Sequence, residues 1–395
     1  MIRVEEYRGV RAFDDLGAAW ARLHRDSGAA PFLAPFWLAA WHRHLAPHVR
    51  PRLVAARDRA GELVGLLPLF EEDVGIAGFP VGRRLGLLGE RTGGADYLDV
   101  IARPHRRGEV AEAIVDHLLR TGGFDLLDLS EVPADSALLP SLCRIAGEVE
   151  IAPRHVCPQV ELAETWEAVL ARSRRADNLR RRRRQAEALG AIYRVVREPA
   201  EAPAAFERFL ELHEKRWERA GGSDGIRSPA HVRFHREVVV HLAQAGWLRF
   251  EELWISGACR ASIYGIETGS TYAFYQSGYD PAWASRSVGL VLLGMSLERA
   301  VRRGLEVYDF LHGVESYKLD WATRARQTLR IRASRGTAVA AWMRAREEAE
   351  RRARAWLRSA LPQSAVERLR RQRKARAAQA MAAERTGRAG AVHGS

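Results

Sequence analysis

The sequence predicts an α/β protein built twice over: two similar units, each a mixed sheet flanked by helices, followed by a basic helical tail. Three observations carry this. Strand-like apolar runs alternate with segments of helical spacing through both halves of the chain. Four residues also recur at one offset. Gly108, Val110, Gly123 and Asp128 match Gly289, Val291, Gly304 and Asp309, each pair 181 residues apart and each set in a strand–loop–helix–Gly–strand order. Such self-similarity marks a tandem duplication. Finally, 395 residues are too many for one core and enough for two plus a tail.

Taken in order, Phe36, Trp37, Trp41 and Leu45 fall at helical spacing. Arg52–Ala56 and Leu63–Phe70 read as strands around the turn-like Asp58–Gly61, and Tyr97–Ala102 as a third. A helix over Glu109–Thr121 leads into the strand Phe124–Leu129. The second half opens on a helix over Trp166–Leu189, then one over Ala204–Arg219, a Gly-rich loop Gly221–Gly225 and a helix over Pro229–Ala245. Strands are expected at Leu248–Ile255, Arg260–Glu267 and Thr271–Gly278. An apolar helix, Ser287–Arg303, feeds the strand Val307–Leu311, and a last helix is expected over Ala338–Leu361. The expected domains are 1–155, 156–335 and the tail 336–395.

Charge is unevenly spread. The net charge is +13, but the last 55 residues hold 14 basic and 5 acidic side chains, and Arg172–Arg184 holds eight Arg against Asp177. The remaining body is slightly acidic, which argues against a general DNA-binding surface. Only three basic residues are lysines (Lys215, Lys318, Lys374), so a Lys in this chain is conspicuous. Hydrophobic content of 47% with eleven Trp excludes a disordered or collagen-like chain. Cys143, Cys157 and Cys259 form neither a disulfide framework nor a metal-ligand spacing. The charged start MIRVEEYRGV and the lack of a membrane-length apolar run give the expectation of a cytoplasmic protein.

Asp280–Val291 (DPAWASRSVGLV) is the most informative segment. A strand ends, Asp280–Pro281 turns, and a helix begins near Ser287. Arg286, the free N–H groups around Ser287, Val288 and Gly289, and the positive end of the helix dipole together suit a phosphate or pyrophosphate. Gly289 would let a ligand approach the backbone. The competing reading is an ordinary Ser-capped helix packed on a sheet.

Strand, Arg–x–x–Gly–x–(small), helix, Gly, strand resembles the acyl-CoA pyrophosphate loop of the GNAT acetyltransferase superfamily, with Val291 standing where that family has Gly or Ala. His105, Gly108 and Val110 look like a degenerate first copy. The order Cys157–Pro158, Trp166, RSRRADNLRRRRR, His213–Trp217 (HEKRW) and Tyr308–Ala322 (YDFLHGVESYKLDWA) is similar to a two-domain subgroup. That subgroup comprises acetyltransferases linked to cellulose or exopolysaccharide biosynthesis, related to the Fem-type aminoacyl transferases. The resemblance implies tandem GNAT-like domains and acetyl-CoA, or another acyl-CoA, as donor. It also implies acyl transfer in the second domain to an amine or hydroxyl of an envelope or glycan precursor. An aminoacyl-tRNA donor, or a binding protein whose cofactor loop is obstructed by Val291, are the rival readings.

Asp309–Lys318 (DFLHGVESYK) supplies acid–base candidates in the exit loop of a strand, where α/β sites gather. Glu315 or His312 could take the acceptor's proton, and Tyr317 could protonate the departing thiolate. Lys318 could neutralise an oxyanion or bind an acceptor phosphate; a Tyr–Lys pair facing substrate is what the Fem resemblance implies. The other reading of Tyr317–Lys318 is a covered domain edge. Arg183 breaks the apolar stripe Ala176, Leu179, Ala186, Leu189, so it should face the body or a ligand. Arg183 and Tyr275 join Lys318 as candidate acceptor contacts. His213 and Trp217 share a helix face and read as a buried aromatic pair. The tail, with Trp342, Ala349, Ala353 and Trp356 at helical intervals among Arg, fits either a peripheral contact with the inner membrane face or packing on the protein.

Overall fold

The computed structural model describes residues 2–90, 94–144, 147–163, 165–219, 226, 228–334 and 336–360. The Gly221–Gly225 loop, the Trp217 side chain and everything past Ala360 lie outside them. Two compact units form. The first takes residues up to 152, 226–234 and those from 329 on; the second takes 153–225 and 235–328.

The first unit runs through β1 (Arg3–Arg8), α1 (Ala12–Ser27), α2 (Pro35–Leu45), β2 (Arg50–Arg57), β3 (Leu63–Ile76) and β4 (Phe79–Leu87). It continues with β5 (Ile101–Ala102), α3 (Arg107–Thr121), β6 (Leu126–Pro133), α4 (Leu138–Leu142) and the start of β7 (Glu148–Glu161). β1 to β4 pair antiparallel in chain order, and β6 returns through α3 to lie parallel to β4, Arg84 opposite Leu126.

The second unit follows the same plan. Its elements are α5 (Trp166–Ala171), α6 (Ala176–Ala188), β8 (Ile192–Val196), α7 (Ala202–Arg219), most of α8 (Pro229–Gln244), β9 (Leu248–Ile255), β10 (Ala258–Thr268), β11 (Thr271–Tyr279), α9 (Val288–Arg302), β12 (Val307–Asp309) and α10 (Ser316–Leu319). β8 to β11 pair antiparallel in order, and β12 returns through α9 to lie parallel to β11, Tyr272 opposite Tyr308. β7 closes the far side of β12. The chain ends in β13 (Arg324–Ser334), whose residues are divided between the units, and α11 (Ala338–Ala360).

The repeated residues do matching jobs. Val110 and Val291 are fully buried on α3 and α9. Gly123 and Gly304 hold φ of +79° and +69°, the left-handed geometry that turns the chain from helix toward the next strand. Asp128 and Asp309 are buried on β6 and β12: Asp128 accepts from Arg84 and Arg330, and Asp309 from Gln159 and the Leu311 N–H.

Three local expectations differ. Only Ile101–Ala102 of Tyr97–Ala102 is strand, because Tyr97 adopts φ +60° and the Leu98 N–H bonds the Glu131 carbonyl. The Arg-rich helix is two helices, broken where Ser173 donates to the Asp320 carbonyl and accepts from the Arg175 N–H. On α11 the buried face is Ala340 and Met343, with Glu347 bound by Arg330 and Arg332, while Trp356 is 67% exposed. The Trp-bearing stripe is therefore not what packs on the protein.

Candidate active site

A cleft of about 310 Å³ opens in the second unit between the start of α9, β11 and α10. Its floor is made by an irregularity in β11. The pairing with β10 slips, so Ile263 faces Ser277 while Gly265 faces Phe274 and Tyr275 is skipped. Paired residues share a sheet face, so the bulge puts Phe274 and Ser277 on the same side, and both line the cleft. Tyr275 is turned to the other side. It packs on Tyr264 at 5.0 Å and His235 at 5.3 Å and does not line the cleft.

The cleft exists because parallel pairing of β11 with β12 stops at Ala273 and Asp309. Past that point the β12 chain follows β7 instead: the Phe310 N–H bonds the Pro158 carbonyl and the Gly313 N–H the Val156 carbonyl. β11 runs on to Tyr279 without it. On the opposite face α7 approaches so closely that a Cβ at Gly278 would lie 2.4 Å from the His213 N. His213 is buried against Phe209, and burial, with the nearby Arg216 charge, pulls its imidazole down to about 4.

At one end of the cleft, α9 begins at Val288. Ser287 has φ +55° and its side chain caps nothing, so the first N–H groups of α9 lack both a carbonyl one turn back and a side-chain acceptor. Ser287, Val288 and Gly289 all line the cleft. The protein itself does not require Gly289: a Cβ there would meet Tyr279 at an ordinary 3.6 Å. The preceding turn is stiff, with Asp280 accepting from the Ala282 N–H and from Arg260. The Trp283 ring is covered by the guanidiniums of both Arg260 and Arg286, at 4.9 and 5.3 Å. Arg286 is exposed on that stack beside the helix end. Val291 is fully buried in the core and does not line the cleft, so it does not obstruct the loop.

At the other end sits Tyr317, packed against Phe274 and Phe310. Burial, with Glu315's charge adding, pushes its phenol up to about 12, against the pull of Arg216, which is within hydrogen-bonding reach. Arg216 reaches from α7 to the Ser277 hydroxyl at 2.7 Å and covers the Tyr279 ring at 5.3 Å. Asp320, paired with Arg175 at 2.6 Å, and Trp321 complete this end. The Trp321 Nε1 is buried without a hydrogen-bond partner among the described residues.

The other exit-loop candidates lie elsewhere. Lys318 is buried, but its Nζ donates to the His312 carbonyl at 2.8 Å and pairs with Glu315 at 3.0 Å. It braces its own loop and does not line the cleft. Glu315 and His312 are exposed, His312 stacked on His155 at 5.0 Å. Arg183 faces the body: it bonds Glu298 of α9 at 2.6 Å and Glu187 at 3.0 Å, fastening α6 to α9 outside the cleft. Arg216, Arg175, Asn178, Ser277 and Asp320 were not singled out by sequence, because no local spacing marks residues gathered from four elements.

Residues 172–319 match the family described as the acetyltransferase (GNAT) domain. Among solved structures, FemX superposes with a TM-score of 0.57 at 11% identity, over 79% of this chain and 95% of that one. A C-terminal domain assigned to a lysylphosphatidylglycerol synthetase of Agrobacterium fabrum gives 0.52 at 10%, over 84% and 94%. L-PGS from Bacillus licheniformis gives 0.51 at 13%, again over 84% and 94%. At these identities the likeness is one of fold. Among curated proteins no sequence matches.

Proposed function

We propose that this chain, whose residues 172–319 match the GNAT acetyltransferase domain, is an acyltransferase, and that the cleft of its second unit takes an acyl-CoA donor and passes the acyl group to an amine or hydroxyl. The observation that carries the reading is one cleft with an uncapped helix N-terminus at one end and a half-buried phenol at the other. The α9 N–H groups and Arg286 would receive the donor's pyrophosphate. A glycine at 289, where the protein's own packing would accept a Cβ, fits such a ligand. Tyr317, kept neutral by burial, would give its proton to the leaving thiolate. Asp320, the carboxylate that lines the cleft, replaces Glu315 and His312 as the candidate base. An acceptor from an envelope or glycan precursor extends this reading.

One observation favours a second reading, with aminoacyl-tRNA as donor. Arg174, Arg175, Arg180, Arg181 and Arg184 are exposed on and just before α6, and Arg175 reaches the cleft rim. Thermal-shift measurements with acetyl-CoA beside charged tRNA separate the two. Calorimetry on Arg286→Ala should give roughly tenfold weaker acetyl-CoA binding, the value of a charged hydrogen bond. Equal affinity would remove the pyrophosphate assignment.

A further inference from the structure

The first unit carries an apolar prong beside a basic helix. β3 and β4 meet in a two-residue turn, Ala77 at φ +48° and Gly78 at φ +89°, the tight turn type that fits the twist of paired strands. Ile76 and Phe79 are directly opposite across it, so their side chains share one face of a rigid tip. Phe79 is 76% exposed, Ile76 56% and Val81 41%. From Val74 to Gly82 the sequence holds no charged residue.

The basic helix α11 is fastened to this hairpin. A Cβ at Gly82 would meet Val339 at 2.5 Å and the Met343 sulfur at 3.0 Å, so the helix lies directly on β4. Arg346 covers the Trp342 ring at 5.7 Å and hydrogen-bonds the Gly75 carbonyl at the base of the tip. α11 carries six Arg against three Glu, and the following residues 361–395 add eight basic against two acidic side chains. Glu347 is taken up by Arg330 and Arg332, Glu348 by Arg351 and Arg352, and Glu350 by Arg346. An exposed aromatic on a stiff tip next to a surplus of guanidiniums is complementary to an apolar layer under a negative surface. We propose that the β3–β4 tip and α11 together dock the protein on anionic lipid bilayers, Phe79 and Ile76 entering the interface while the arginines of α11 meet lipid phosphates. Among the described residues no helix is long and apolar enough to cross a membrane, so the contact is one of surface.

The test is co-sedimentation of the full chain with vesicles of equal parts phosphatidylcholine and phosphatidylglycerol, and with phosphatidylcholine alone. It needs no turnover, so its outcome is independent of the acyl donor. Wild type should bind the mixed vesicles and bind pure phosphatidylcholine much more weakly. Ile76→Ser with Phe79→Ser should weaken binding by roughly tenfold or more, with the melting temperature unchanged because both positions are exposed. Arg351→Glu with Arg352→Glu should weaken it on mixed vesicles only. Unaltered binding by the Ser double variant would overturn the proposal, leaving attraction by the basic tail alone. So would absence of binding to mixed vesicles, or a dimer in sedimentation velocity that the Ser substitutions dissolve without any effect on vesicles.

Discussion

Tyr317 and Lys318 are neighbours in sequence with different environments, and their variants should differ accordingly. With its phenol at about 12, Tyr317 stays protonated across the working range. Tyr317→Phe should therefore lower kcat by about a hundredfold or more, as loss of a general acid does, with KM for the donor little changed. No activity limb assignable to Tyr317 should appear below about pH 10. A Phe variant with normal kcat would exclude the role. Lys318 is different because both its polar contacts are within its own loop. Lys318→Ala should cost about 2 kcal/mol of stability. Lys318→Arg should also destabilise, since the buried Nζ holds a carbonyl and a carboxylate at positions a longer, planar guanidinium does not match. A melting temperature unchanged in the Ala variant would return Lys318 to the list of acid–base candidates.

At the scale of the element, α9 separates core from site within one turn. Gly289 lines the cleft with room for a Cβ beside Tyr279, and Val291 faces the core. Gly289→Ala should leave the melting temperature unchanged or raise it, by up to about 1 kcal/mol of helix propensity, yet weaken acyl-CoA binding if the donor lies against this backbone. Val291→Gly should do the reverse: about 3 kcal/mol lost from burial and helix propensity together, with no gain in affinity. Thermal melts and calorimetry on both variants check the division. If Gly289→Ala binds the donor like wild type, the start of α9 is not the seat of the pyrophosphate. Gly294, one turn on, is fixed by packing instead, since a Cβ there would strike Leu179 of α6 at 2.5 Å.

At the scale of the molecule, both units rely on carboxylates held by arginines in poor solvent. Burial pushes the Glu6 carboxyl up, but Arg52 and Arg8 outweigh it and bring it to about 2. Burial acts likewise on Glu267 and is outweighed by Arg249 and Arg299, again giving about 2. A carboxyl whose folded value lies below its unfolded value adds stability that is complete above the unfolded pKa, near 4.5, and is lost as pH falls toward 2. His213, held neutral down to about 4, withdraws its share earlier, between pH 6.5 and 4. The melting temperature should thus be level near neutrality, sag below pH 6.5 and fall steeply below 4.5. A flat profile from pH 5 to 3 would show that these pairs contribute nothing.

The sequence by itself determined the α/β class, the doubling at a shift of 181 and the position of the α9 loop, because helical and strand periods, turn residues and caps act over a few neighbouring residues. It also picked out Tyr317, which lines the cleft. β1, β4, β7, β8 and β13 escaped it, since strands that owe their form to a partner carry little local signal. Only the tertiary structure decided which candidates meet. One slipped residue in β11 sent Tyr275 away from the cleft and Ser277 into it. A carbonyl and a carboxylate of the same loop claimed Lys318, and Glu298 claimed Arg183. Arg216 entered the site from α7, about a hundred residues before Tyr317 in the chain. Spacing fixes which face of its own element a side chain occupies, but what stands opposite that face is set by packing between distant segments, and the chemistry of a site is made of such meetings.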